Sequence, residues 1–316
     1  MKLVISVDVE EEGLFSGEYL RVPAGVANVA QLRRLEFIPR EFGFPLTLLV
    51  TYQVARDPAA RQVLAYWRDR YRAEIGAHLH PWNTPPFSDL PYPEPVRSAD
   101  LPRPLLKAKF AGLVDAIKKN LEVSPVSFRM GRFDGSAQVL GLLPEFGLKV
   151  DSSMVPLTQK VGGPDFFLIP ADPFVFRPAG PQGPPLLEAP VTMVPVWAMA
   201  PGLVYRLSHA LPESWGGRLR AGFRYWGAAG IQPAWYPAAS MRGAVRLHRR
   251  RGGQVLTMFF HSSELMPGAT PQFPTEEAVN RLIEKIRAFL SWLVKTGPVQ
   301  GVTLAELGDE YLGGHG

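Results

Sequence analysis

The sequence predicts an α/β fold built on a parallel sheet, and three observations carry that expectation. Short apolar, β-branched runs alternate with longer segments whose apolar residues recur on a helical period. Parallel strands need crossover connections, which those helical segments supply. Acidic and imidazole side chains stand where several runs end, the position at which barrels of parallel strands carry their chemistry.

The first expected strand is residues 3–8, Leu-Val-Ile-Ser-Val-Asp. Residues 28–42 place Val29, Leu32, Leu35 and Phe42 on a helical period, and Gly43 closes that helix. Residues 45–50 form the second strand. Asp57 can cap a helix to about residue 71, because its carboxylate can accept from the free N–H groups of a first turn. Residues 75–80 form the third strand. A helix over 105–121 precedes a short strand at 126–128, and a helix over 136–146 precedes a strand at 149–152. Residues 254–260 form a further strand, Thr275 caps a helix to residue 295, and residues 299–302 form the last strand.

Two segments break the alternation. Residues 84–104 hold Pro85, Pro86, Pro91, Pro93, Pro95, Pro102 and Pro104, too many for a helix or a central strand. This loop either walls a groove or is an ordinary surface excursion. The second segment, about 156–253, is rich in Pro, Gly and Trp, with Trp197, Trp215, Trp226 and Trp235. It reads as an insertion on a single domain spanning 1–316, its tryptophans buried or, alternatively, stacked on sugar rings.

Residues two apart on a strand share a face. Asp8 and Glu10 should therefore point into one space from the first strand. On the third, Leu79 can face the core while His78 and His80 point the other way, roughly 6–7 Å apart at the backbone. Two imidazoles and one carboxylate with coordination positions left open suit catalytic zinc or non-haem iron. His261 ends a third run, Met258-Phe259-Phe260-His261.

At these residues the chain resembles the polysaccharide deacetylases, the NodB-like chitin and peptidoglycan deacetylase family. Asp8-x-Glu10, Glu74-Ile75-Gly76-x-His78, the run from Phe128 through Arg129, Met130, Gly131 and Arg132 to Phe133, Val150-Asp151-Ser152-Ser153 and Phe259-Phe260-His261 follow the order of that family's five motifs. The tail Val302-Thr303-Leu304-Ala305-Glu306-Leu307 is similar to its usual ending. The resemblance implies an irregular (β/α)7 barrel, with Asp8 as base, Glu10 and His78 as metal ligands, Arg129 holding the base and His261 as general acid. Two departures stand out. The position four after His78, where the family has its second histidine, is Trp82, and His80 lies only two after it. The second acidic position is Glu10 rather than Asp. His80 is then the expected third ligand, and Trp82, Arg132, Phe133 and Asp151 are expected around the substrate. Arg129 and Asp151 could instead form a structural ion pair.

Composition bounds the alternatives. The chain has 316 residues, 46% of them hydrophobic, enough for a sizeable core. Without cysteine there is neither a thiolate metal site nor a cysteine nucleophile. Gly-x-Ser-x-Gly, P-loop and dinucleotide fingerprints are absent. The net charge of +5 is modest, and its densest run, Arg246-Leu247-His248-Arg249-Arg250-Arg251, reads as a solvated helix end or a contact for a phosphate-bearing group. Basic and aromatic residues do not interleave, which argues against nucleic acid. No apolar run reaches the ~18 residues of a membrane span, and the first strand begins too early for a signal peptide, so a cytoplasmic location is expected.

The resulting expectation is a metal-dependent deacetylase, with zinc first and cobalt, nickel or iron as alternatives, acting on an N-acetylated amino sugar in a glycan or a lipid- or nucleotide-linked precursor. Two other readings are an allantoinase-like cyclic-amide hydrolase, suggested by Val9-Glu10-Glu11-Glu12-Gly13, and a barrel that binds glycan without turnover.

Overall fold

Strand β1 (Lys2–Val9) sets the layering of the molecule. Leu3, Ile5, Val7 and Val9 join the main apolar cluster, whereas Val4 joins a second one and Ser6 and Asp8 are buried polar residues at the intervening positions. That is the period of two acting on an almost wholly buried strand. The same split recurs around the sheet: Ala77 and Leu79 flank His78, and Phe128 and Met130 flank Arg129, with the apolar members in the main cluster.

The computed structural model describes residues 1–17, 19–22, 25–160 and 163–313. After β1 come β2 (Thr47–Val50), β3 (Glu74–Leu79), β4 (Ser127–Met130), β5 (Val150–Asp151), β6 (Phe174–Phe176), β7 (Leu186–Glu188), β8 (Met193–Pro195), β9 (Ala228–Gly230), β10 (Val255–His261) and β11 (Gln300–Gly301). Among the described residues β10, β1, β2, β3, β4, β5 and β7 run parallel in that order, β6 adds antiparallel to β7, and β11 pairs beside β1. The chain leaving β7 crosses to the other end of this row: Val191 N–H donates to Met154 O at 3.1 Å, and Thr192 N–H to Thr257 O at 3.0 Å. This is the irregular (β/α)7 architecture that the resemblance implies.

The helices are α1 (Tyr52–Arg56), α2 (Pro58–Tyr71), α3 (Arg103–Leu121), α4 (Ala137–Leu142), α5 (Ala200–His209), α6 (Glu213–Trp226), α7 (Ala238–Arg250), α8 (Glu276–Lys295) and α9 (Leu304–Gly313). The expected caps are made: Asp57 Oδ1 accepts from Ala60 N at 2.8 Å and Thr275 Oγ1 from Ala278 N at 3.3 Å. Leu304 and Leu307 of α9 pack with Val4, Leu49, Val150, Leu187 and Val255, a second cluster separate from the main core. No described helix is long and apolar enough to cross a membrane.

Several local expectations are corrected. Residues 28–42 form 3-10 turns over Ala27–Leu35 and a π turn over Ile38–Phe42 rather than one α-helix. Buried Asn28 is pulled out of regular geometry by bonds from its Nδ2 to Glu10 O and Ser262 Oγ, both 2.9 Å, and Pro39 lacks a donor. The segment 84–104 is not helix-free. It contains the turn Ser98–Asp100, and Arg103 and Pro104 already belong to α3, where proline is tolerated in the first turn. The interval 156–253 contributes β6 to β9 and α5 to α7. Trp197, Trp215 and Trp226 are 61%, 65% and 60% exposed, against the expectation of burial. Helices α5 and α6 bury Val204 and Phe223 against the barrel and leave their other faces uncovered. The basic run ends α7: Arg249 Nη1 donates to Thr296 O at 3.1 Å, Arg251 Nη1 to Pro195 O at 2.6 Å, and Arg246 lies over the Trp292 ring.

The cap on α2 is a local test of this reading. Asp57→Ala removes the acceptor for Ala60 N–H and should cost about 1 kcal/mol of stability in urea unfolding. An unchanged unfolding midpoint would show that the cap contributes nothing.

Candidate active site

The parallel register brings the motif residues to one level. Asp8 is the cross-strand partner of His261 on β10, and His78 is the partner of Arg129 on β4. Glu10 and His80 follow directly after the last residues of β1 and β3, so all six stand at the carboxyl ends of neighbouring strands.

Arg129 organises the centre. Fully buried, it donates from Nη1 to Asp8 Oδ1 at 2.5 Å, from Nη2 to Ser6 Oγ and Ser152 Oγ at 2.9 and 2.8 Å, and from Nε to Ser152 O at 2.8 Å. Its partner is therefore Asp8, not the Asp151 of the alternative ion pair. With Oδ1 occupied, Asp8 Oδ2 faces His78 Nε2 at 4.0 Å and His261 Nε2 at 3.9 Å. Burial works against the Asp8 carboxylate, yet Arg129, His78 and His261 together hold its pKa below the usual value.

The two strand-end histidines are fixed from behind. His78 Nδ1 lies 2.9 Å from Arg129 O, an acceptor only, so the proton belongs on Nδ1. His80 Nδ1 lies 2.6 Å from Glu11 Oε1. Both Nε2 atoms then point inward, 3.0 Å apart, at 3.6 and 3.5 Å from Glu10 Oε2. Two lone pairs that close beside a carboxylate need a proton or a cation between them. Glu10 Oε1 is also buried with no hydrogen-bond partner among the described residues. Glu10, His78 and His80 offer ligand atoms within 4.8 Å of one another, a donor set that fits a divalent metal. His78 and His80 face Glu10 together, and Trp82, at the position four after His78, is not among these donor residues.

Sequence reasoning missed the supporting carboxylates. Glu11 binds His80 and also accepts from Asn83 Nδ2. Burial opposes its ionisation, but the His80 partner outweighs this and holds the pKa down to about 2. Glu264 Oε1 lies 2.9 Å from His261 Nδ1, and its Oε2 accepts from His261 N at 3.2 Å. The spacing of His261 and Glu264 is that of a capping box and could have been read as such. Burial opposes the His261 imidazolium, yet Glu10, Glu264 and Asp8 raise its pKa to about 10.

The four residues expected around the substrate lie in three settings. Trp82 is buried and stacks on His80 with centroids 4.3 Å apart. Asp151 is wholly buried, accepts from Ser153 Oγ at 2.5 Å and faces a second buried carboxyl, Glu188, whose pKa burial and Asp151 push well up. Trp82 keeps 4% of its surface exposed and Asp151 none. Arg132 and Phe133 instead line an open cleft. They have positive φ, 59° and 53°, in the turn after β4. Preceding them, Gly131 has no room for a side chain: a Cβ there would lie 2.5 Å from His80 Cδ2 and 2.8 Å from Leu79 O.

These contacts make His80 orientation depend on Glu11 and Gly131. Glu11→Gln should weaken zinc affinity by about 10- to 100-fold in calorimetric titration, and Gly131→Ala should weaken it in the same direction. Wild-type affinity in both variants would separate the Glu11 pair from metal binding.

No family model and no curated protein matches the sequence. Among solved structures the chain is similar to a candidate polysaccharide deacetylase from Mycobacterium smegmatis, with a TM-score of 0.59 and 14% identity over 99% of this chain and 91% of that one. Lesser likenesses are to a CE4 family pseudoenzyme from Bacillus anthracis, with a TM-score of 0.46 and 10% identity over 98% of this chain and 66% of that one, and to a family 4 acetyl xylan esterase from Clostridium thermocellum in complex with a cobalt ion, with a TM-score of 0.40 and 12% identity over 97% and 90%. At these identities the likeness establishes architecture: the chain has the fold of the Mycobacterium smegmatis structure.

Proposed function

We propose that this chain is a metal-dependent hydrolase that removes N-acetyl groups from an amino-sugar-containing glycan or glycan precursor. One observation carries the reading: a two-histidine, one-carboxylate donor set opens onto a buried carboxylate and a third imidazole, all at the carboxyl ends of barrel strands. Glu10, His78 and His80 would hold the metal. A divalent ion there, zinc first and cobalt, nickel or iron as alternatives, supplies Lewis acidity toward an acetyl carbonyl.

The protein's own groups handle the protons. Arg129 keeps Asp8 charged and leaves Oδ2 as the acceptor for a proton from the attacking water. His261, protonated and oriented through Nδ1 by Glu264, presents Nε2 3.9 Å from Asp8 Oδ2 and gives its proton to the departing amine nitrogen as the C–N bond breaks. Water's oxygen ends in acetate, and the amine leaves protonated. Ser6 and Ser152 stop the Arg129 guanidinium from turning away.

Acetate release from N-acetylated oligosaccharides or N-acetylated sugar precursors is the direct test. Asp8→Asn and His261→Ala should each lower turnover by about 10²- to 10⁴-fold with an unchanged circular-dichroism spectrum. Near-wild-type turnover in either would refute the assigned roles. The pH profile separates them further. The acid must be protonated, so activity falls as pH rises through the His261 pKa, and Glu264→Gln, which removes a charge that raises that pKa, should move the basic limb to lower pH. A basic limb that stays in place would mean that another group is the acid.

A further inference from the structure

Beside the candidate active site lies a cleft of about 620 Å³ whose lining is strongly one-signed. Arg97, Arg132, Lys160, Arg218 and Arg224 face it against the single carboxylate of Asp134. Asp134 Oδ2 is occupied, accepting from Ser98 N at 2.6 Å, and Arg97 pairs with Asp100 at 2.7 Å. Among the described residues Arg132, Lys160, Arg218 and Arg224 make no ion pair with any carboxylate. Lys160 instead donates to the carbonyl of Arg132. Burial, with Arg132 and Arg224 acting against the pull of Asp134, holds the Lys160 pKa down to about 8. Cations gathered around a single carboxylate in a concavity repel one another until an anion sits between them, and guanidinium groups match phosphate oxygens in particular.

The cleft and the candidate active site share a wall one aromatic layer thick. Phe133 and Trp235 line the cleft, and both rings lie 4.9 Å from Phe259. Arg129 stands behind that wall, 5.5 Å from the Phe133 ring and 5.2 Å from Phe259, and His261 lies 5.5 Å from Phe259. A ligand anchored in the cleft by a charged group could place a neighbouring sugar ring over this aromatic edge, beside Asp8 and His261.

The geometry points to this cleft as a phosphate-binding subsite for a diphosphate that joins the amino sugar to its carrier. The sugar part of this statement rests on the deacetylase reading; the anion part does not. Nucleoside and lipid carriers share the diphosphate, and the test separates them.

The purified chain is titrated calorimetrically with inorganic diphosphate, then with uridine diphosphate and with farnesyl diphosphate. Inorganic diphosphate should bind with a Kd below about 1 mM, weakened at least about tenfold in the double variant Arg218→Gln, Arg224→Gln and also in Lys160→Met. Zinc uptake by the same variants should stay at the wild-type level, which shows that they are folded. Tighter binding of uridine diphosphate than of diphosphate assigns a nucleoside carrier, and tighter binding of farnesyl diphosphate assigns a lipid carrier; both support the subsite. No heat at millimolar diphosphate, or equal affinity in the variants, overturns it. Acetate release is measured separately, so a chain that binds diphosphate but releases no acetate keeps the subsite and loses the deacetylase reading.

Discussion

Two imidazole nitrogens held 3.0 Å apart, each with its other nitrogen already committed, are the constraint around which this barrel end is arranged. Such a pair is unfavourable unless a proton or a cation lies between its members. The protein nevertheless enforces it from both sides, through a backbone carbonyl behind His78 and a buried carboxylate behind His80. Gly131 removes the side chain that would push His80 away, and Trp82 closes the ring's other face. A fold bears such a cost where a ligand repays it, and partners behind a ligating imidazole are what metal sites use to fix its tautomer.

The buried Arg129 plays the complementary part. A guanidinium without exposed surface is costly unless its donors are directed, and here Asp8, Ser6 and Ser152 take four of the five. One charge thus orders residues from β1, β4 and the segment after β5. Because Oδ1 of Asp8 is tied to Arg129, the other oxygen has a defined aim, toward both His78 and His261. Asp8 Oδ2 and His261 Nε2 stand 3.9 Å apart and are distinguished by charge: Arg129 helps hold the carboxylate ionised, and Glu264 helps hold the imidazole as a cation.

The strands were legible because a parallel sheet buried on both faces leaves continuous apolar runs, and the period of two put Asp8 with Glu10 and His78 with His80. Helices with a side-chain cap, such as those after Asp57 and Thr275, were legible for the same local reason. Residues 28–42 were misjudged because Asn28 forms its bonds to Glu10 and Ser262, and Ser262 is far away in sequence. The interval 156–253 was opaque: α5 and α6 leave Trp197, Trp215 and Trp226 uncovered, which blurs the contrast between faces on which periodicity depends. Within the site, chemistry-bearing residues could be named from their strand-end positions, whereas of the carboxylates behind them only Glu264 carries a spacing signal, that of a capping box. Glu11 looked like one member of an acidic run, Glu264 like part of an ordinary turn, and the cationic cleft gathers residues from four separate segments.

The central claim is that Glu10, His78 and His80 form one divalent-metal site. Zinc titration of chelator-stripped protein, wild type against His80→Ala, tests it most directly. The account predicts one equivalent bound by the wild type at micromolar zinc or below, and loss of most of that affinity when His80 is removed. A wild type that takes up no zinc at micromolar concentration, or a His80→Ala variant that binds it equally well, would contradict the account.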